Sequence, residues 1–322
     1  MRTQRKPPNM KKNWICVLAA LAVSTQVLVA AAAPKYVPGL SYGKEEGVSN
    51  ICAIAIGRDD TLLMAADGKV RFFDQQSGQC TRRFPTGLTQ ADALATDGNT
   101  IYLLKAVKES KTVEVSGRKV KQEVPAGVLC KTFTWDGQPG ADLKLADAKS
   151  ATAAKVVGDK LYVADLASAV VRIYDRKTGA AVGTVGRNVR LCCGIFDFAV
   201  DPASGDVLIA NLGAYKVQRY SADGKLKSEF GQRGTSDQDF QGCCNPVASV
   251  FLPGGYLVTA EKEPSRVKTY DAKGKLVQVF SNLEELVQGC QRVSVAVDSQ
   301  GRVYLGVNAK ARFVVQYVPQ TS

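Results

Sequence analysis

The chain has 322 residues, is 45% hydrophobic and 22% charged, and carries a net charge of +12. That composition fits one large globular domain or two small ones and is too apolar for a disordered chain. There is no histidine, which excludes Ser-His-Asp triads, Cys-His dyads and any zinc or haem site that needs an imidazole ligand.

Residues 1–13 carry Arg2, Arg5, Lys6, Lys11 and Lys12 and no acid, and an apolar run from Trp14 to Ala33 follows. A basic segment, an apolar segment and an Ala-x-Ala ending read as a signal peptide over residues 1–32, cut after Ala32. The run is close to the length of a membrane span, so an uncleaved leader would be an anchor. Ser24, Thr25 and Gln26 interrupt it and favour cleavage. The leader has no Arg-Arg pair, which points to the Sec route and a periplasmic or extracellular protein. Removing the leader takes away five positive charges and leaves about +7. Nucleic acid is not expected as a partner. A protein or an anionic ligand is, with a membrane involved only if the leader stays.

The mature segment, 33–322, repeats one grammar. ALATDGNTIYLL (93–104), AAKVVGDKLYVAD (153–165), FDFAVDPASGDVLIAN (196–211), VASVFLPGGYLVTAE (247–261) and VSVAVDSQGRVYLG (293–306) each read as strand, Asp/Gly/Pro turn, strand, and AIAIGRDDTLLMA (53–65) fits too. A third strand follows in VRFFD, VVRIYD, VQRYS, VKTYD and FVVQY, and a fourth in KLKSEFG and KLVQVF. Alignment on Leu62, Ile101, Leu161, Val207, Leu257 and Val303 gives intervals of 39, 60, 46, 50 and 46 residues. Four antiparallel strands per unit of that length make a propeller blade, and six units make a six-bladed β-propeller, an all-β fold.

The phrase FAVDPASGDVLIANLGAYKVQRYSADGKLKSEFG resembles the NHL repeat, with its strand–Asp–Gly–strand and Lys-Val-x-x-Tyr wording. The likeness is good in blades 3 to 6 and degenerate in blades 1 and 2. It implies a fold and not an activity. The last blade stops after its third strand, near Val318. The segment around Tyr36–Tyr42 is the one spare strand, so it is expected to complete that blade and close the ring. The long interval in blade 2 holds an insertion at 105–125, whose alternation around Ser116-Gly117 reads as a projecting basic hairpin, either a docking finger or a solvated, charge-blunted hairpin.

Eight cysteines follow the leader. LCCGIFDFAVD (191–201), GCCNPVASVFL (242–252) and GCQRVSVAVD (289–298) put Cys192, Cys193, Cys243, Cys244 and Cys290 just before the first strands of blades 4, 5 and 6. Loops entering the innermost strand lie on the top face of a propeller, so these five should cluster at the channel mouth, with Cys52 of blade 1 close by. Cys80 and Cys130 belong to outer strands. Three chemistries stay open: disulfides, including vicinal ones, which weigh most; a thiolate metal site for Cu(I), zinc or an iron–sulfur centre; and redox-active thiols. Propeller quinoprotein dehydrogenases resemble the chain only in pairing a propeller with adjacent cysteines.

Loops between second and third strands reach the same face and bring Asp165, Asn211 and Glu261, with Lys216, Lys262 and Arg266 nearby. A carboxylate–amide mouth suits Ca²⁺ and is similar in outline to exported six-bladed lactonases. The favoured reading is that these residues cap strands and pair with their own blade's Arg or Lys, as NHL-type repeats usually require. The peptide-amidating lyases need zinc-bound histidines and are excluded. The expectation is an exported, monomeric propeller acting as a binding or scaffolding module through its top face. The alternatives are a redox or thiolate-metal component and a Ca²⁺-dependent hydrolase.

Overall fold

The computed structural model describes residues 34–116, 118–282, 292–308 and 312–320. Residues 1–32, where a signal peptide is expected, and Cys290 and Gly117 lie outside them.

The first strand, β1 (Lys35–Tyr42), precedes blade 1, which is β2 (Ile51–Ile56), β3 (Leu62–Ala66), β4 (Lys69–Phe73) and β5 (Cys80–Pro85). Blade 2 is β6 (Ala93–Thr96), β7 (Thr100–Val115), β8 (Arg118–Thr134) and β9 (Leu143–Leu145). Blade 3 is β10 (Ala154–Val157), β11 (Lys160–Asp165), β12 (Val170–Asp175) and β13 (Ala181–Val185). Blade 4 is β14 (Phe198–Val200), β15 (Val207–Asn211), β16 (Lys216–Tyr220) and β17 (Leu226–Phe230). Blade 5 is β18 (Ala248–Phe251), β19 (Leu257–Ala260), β20 (Arg266–Tyr270) and β21 (Leu276–Asn282). Blade 6 is β22 (Ser294–Val297), β23 (Val303–Asn308) and β24 (Arg312–Gln320), with β1 as its outer strand. Every blade is a four-stranded antiparallel sheet.

One cross-strand pair recurs in all six blades. The aligned aliphatic residue of the second strand faces an aromatic of the third: Leu62–Phe73, Ile101–Phe133, Leu161–Tyr174, Val207–Tyr220, Leu257–Tyr270 and Val303–Tyr317. All twelve side chains are buried. Each such pair adds roughly 0.2–1 kcal/mol over an alanine pair. The apolar clusters lie between neighbouring blades, so the core is a ring of inter-blade layers around a central channel.

The ring closes through β1, which pairs antiparallel with β24 from Lys35–Gln320 to Tyr42–Val314. Tyr42 is fully buried, and Gln316 Nε2 donates to both Tyr42 OH (2.9 Å) and Tyr304 OH (3.0 Å). Tyr36 stacks on Phe280 of blade 5 with ring centroids 4.5 Å apart. Tyr42 also meets Phe73 of blade 1 edge-on, with ring centroids 6.1 Å apart, so the closing strand ties three blades together. In blade 2, the pairing of β7 with β8 runs on to Val115–Arg118. Beyond Val107 its described residues are mostly exposed. The hairpin thus projects from the blade at the place the insertion predicts.

Candidate functional site at the cysteine face

Two loops build the site. One joins β13 to β14 and carries Cys192 and Cys193; the other joins β17 to β18 and carries Cys243 and Cys244. In each pair the second residue has a left-handed backbone, φ +58° at Cys193 and +60° at Cys244. A side chain there costs roughly 1–2 kcal/mol, and strain of this kind tends to gather at functional sites. The two turns bring all four sulfurs within 4.8 Å of one another. Cys192 and Cys244 form a disulfide across blades 4 and 5, with Cα atoms 6.6 Å apart. The Cys193 sulfur lies 3.0 Å from that of Cys192, and the Cys243 sulfur 3.2 Å from that of Cys244. Cys193 and Cys243 are exposed, whereas the bridged pair is half-buried.

The loops are held by groups of their own blades. Asn211 Oδ1 accepts the Arg190 N–H (2.8 Å), and Gly213 N donates to Arg190 O (2.9 Å). These bonds fix the chain just ahead of Cys192. Asn245 is fully buried and does the same for the second loop: its Oδ1 accepts the Lys262 N–H (3.0 Å), and its Nδ2 donates to Gln241 O (2.8 Å) and Glu263 O (2.9 Å). Tyr215 OH donates to Gly242 O (3.1 Å). The side chain of Lys262, 1% exposed, places its ammonium 3.0 Å from the Cys193 sulfur.

The other anticipated face residues are consumed inside their blades. Asp165 is fully buried. It ion-pairs with Arg172 Nε (2.7 Å), accepts from Ser150 Oγ (2.9 Å) and from the backbone of Lys149 and Ser150. Burial raises its pKa, but these partners outweigh it and hold the carboxyl below the usual range. Asn211 Nδ2 donates to Gln218 Oε1 (2.9 Å). Glu261 is fully buried between Lys268 (2.6 Å) and Arg266 (2.9 Å). Burial pushes the Lys268 ammonium below its ordinary pKa, against the pull of Glu261. Lys216 pairs with Glu229, and Arg266 also reaches Asp237 (3.2 Å). The polar partners stand seven residues apart in three successive blades: Asp165–Arg172, Asn211–Gln218 and Glu261–Lys268. Asp165, Asn211 and Glu261 thus pair within their blades, the favoured of the two readings their positions allowed, rather than lining an open Ca²⁺ mouth.

Cys52 is corrected too. It is 6% exposed in the layer between blades 1 and 2, where burial raises its thiol pKa, and it stands apart from the four-sulfur cluster. Sequence patterning also missed Asn245, Tyr215 and Gly242, which shape the second loop, and a charged plug in the channel. Lys155, Asp197 and Arg292 meet there around a small void. Burial raises the Asp197 pKa and lowers those of Lys155 and Arg292, each opposed by the others' charge. Beyond the plug, at the opposite end of the first strands, lies a mostly apolar cavity of about 740 Å³ lined by residues such as Ile56, Leu94, Val156 and Phe251.

The fold is that of a six-bladed β-propeller, and its chemically distinctive feature is the sulfur cluster. No protein-family model matches the chain, and no curated protein matches it in sequence. Among solved structures it is similar to a streptogramin B lyase, with a TM-score of 0.58 and 12% identity over 88% of this chain and 98% of that one. At that identity the likeness is one of fold. Among the described residues no helix is long and apolar enough to cross a membrane.

Proposed function

We propose that the protein is an exported NHL-like propeller scaffold whose working site is the cysteine face of blades 4 and 5. There it acts as a thiol–disulfide centre toward a docked partner protein. The observation that carries this reading is the meeting of four sulfurs within 4.8 Å on exposed loops, two bridged and two beside the bridge. A structural staple needs only the two that bridge.

Exchange within the cluster is redox-neutral. The Cys193 thiolate attacks Cys192 Sγ, forms a Cys192–Cys193 bond and breaks the Cys192–Cys244 bond. Cys244 leaves as thiolate and takes up the proton Cys193 lost. Cys243 attacking Cys244 is the mirror step and releases Cys192. The two remaining thiols then reduce a partner disulfide: two electrons and two protons pass to the partner, which leaves as a dithiol, and a second bridge forms here. The Lys262 ammonium sits 3.0 Å from the attacking sulfur and helps to position it.

The test equilibrates the folded protein in glutathione redox buffers, quenches with acid, alkylates, and counts modified cysteines by peptide mass. The expected result is reversible two-electron interconversion at residues 192, 193, 243 and 244, with circular dichroism unchanged. A Cys192–Cys244 bridge that exchanges only on unfolding, with Cys193 and Cys243 never entering a disulfide, overturns the proposal.

A further inference from the structure

We propose that, once the Cys192–Cys244 bridge is reduced, Cys192, Cys193, Cys243 and Cys244 bind one zinc-class divalent cation as a tetrathiolate. This rests on the reading that the cysteine face is the working site, and it adds a ligand to it.

The geometry comes first. Metal–sulfur bonds of about 2.3 Å in a tetrahedron place the sulfurs about 3.8 Å apart. The four sulfurs already lie within 4.8 Å of one another, with the adjacent pairs at 3.0 and 3.2 Å. Opening the bridge and shifting side chains by about 1 Å reaches the tetrahedron. The ligands come from only two loops, so no blade has to move. Both loops are anchored outside the cluster, by Asn211 on Arg190 N–H and by Asn245 on Lys262 N–H. Those anchors do not involve the bridge and persist when it opens.

The donor chemistry is equally restrictive. All four donors are sulfur, and soft thiolates select thiophilic cations over calcium or magnesium. Four thiolates around a divalent ion leave a net charge of −2. The ammonium of Lys262, 3.0 Å from the Cys193 sulfur, offsets part of it, as charged and hydrogen-bonding groups around metal ligands commonly do.

The two states exclude each other. A partner dithiol reduces the bridge, giving up two electrons and two protons and becoming a disulfide. The four thiols then release four protons as the cation binds. Oxidation by a partner disulfide re-forms Cys192–Cys244 and expels the ion. The same sulfurs either link blades 4 and 5 directly or link them through a metal.

The experiment titrates the phosphine-reduced, folded protein with Co²⁺ and then Zn²⁺ in the absence of oxygen. The expected result is one equivalent of Co²⁺ with the intense visible bands of a tetrahedral thiolate complex. Zn²⁺ should displace it and protect four cysteines from alkylation. The unreduced protein, with two of the four sulfurs held in the bridge, should lose this binding. The double variant Cys193→Ser/Cys243→Ser keeps the bridge-forming residues and so tests ligation apart from folding; after reduction it should show a similar loss. Weak octahedral cobalt spectra, full affinity without reduction, or full affinity in the double variant overturns the proposal. Reversible disulfide exchange without metal uptake would overturn this inference alone and leave the thiol–disulfide reading standing.

Discussion

The ammonium of Lys262 lies 3.0 Å from the sulfur of Cys193, across 69 residues of chain. One comes from the loop between the second and third strands of blade 5, the other from the loop entering blade 4. The contact exists because neighbouring blades present these two loop types on the same face. Lys262→Met keeps most of the stem and removes the charge. The alkylation rate of Cys193 is expected to change, since the 3.0 Å contact that positions its sulfur is lost. Iodoacetamide kinetics resolved by peptide mapping measure it, and an unchanged rate would reduce Lys262 to a space-filling role.

The Cys192–Cys244 bridge closes a loop with a sequence separation of 52. Such a cross-link is worth about 2–4 kcal/mol, largely through the unfolded chain. Denaturant unfolding with and without a phosphine reductant should show a loss of that size. Added Zn²⁺ should restore part of it in the reduced protein if the tetrathiolate forms.

Gly242 has φ +64°, and a Cβ there would meet Glu263 O at a distance no real contact shows. Gly242→Ala combines a left-handed backbone with a backbone clash, so it should cost more than about 1–2 kcal/mol. The loop has to move away from Glu263, which would also carry Cys243 and Cys244 away from Cys193. The readouts are chemical denaturation and the rate of thiol–disulfide exchange, both of which should worsen.

Asp165 carries a pH-dependent share of stability. Its folded pKa lies below its unfolded value, because Arg172, Ser168, Ser150 and the Lys149 N–H outweigh burial. The sign follows: the stabilisation is complete above the unfolded carboxylate value of about 3.9 and is lost as pH falls through the folded value. Asp165→Asn should be less stable than the parent at pH 7, and the gap should close below about pH 4. Urea melts at pH 7 and pH 3 decide the matter; a gap constant with pH would place the effect in packing rather than charge.

The basic hairpin of blade 2 makes the opposite prediction. Its described outer residues are largely exposed, and Val107 and Val120 are 39% and 47% accessible. Replacing residues 109–124 by a two-residue turn should leave stability within about 0.5 kcal/mol. If the hairpin is a docking finger, partner capture by the shortened protein falls while its melting curve does not.

The blade count and the ring closure were legible because each rests on short-range signals. Leu62, Ile101, Leu161, Val207, Leu257 and Val303 sit at one repeat position and are all buried. Turn residues flank them at near-constant spacing. Tyr36–Tyr42 could be assigned to blade 6 by elimination. Repeat alignment also put Cys192, Cys193, Cys243 and Cys244 in corresponding loops, and their sulfurs lie within 4.8 Å of one another. It fell short where sequence position does not say what a polar group meets. For Glu261 it allowed both pairing within the blade and an open ligand, and only the fold shows Lys268 and Arg266 against it, with such a partner seven residues on in the repeat. Cys52 looked adjacent to the mouth because it is near the start of blade 1, yet its strand turns it into the layer with blade 2. The plug of Lys155, Asp197 and Arg292 left no local signal, because it is made by three residues that are neighbours only once the ring is closed.

The strand that completes blade 6 pairs Lys35 with Gln320, 285 residues away. Until the C-terminal strand exists, β1 has nothing to pair with, and until β1 docks, the edge of β24 stays open. Contacts of such high sequence separation form late and make folding slow. A polypeptide emerging N-terminus first must hold its opening strand in reserve for the whole of its synthesis. The unclosed ring is then the state most exposed to edge-to-edge association, and the survival of that interval, more than the stability of the finished ring, sets how much native protein accumulates.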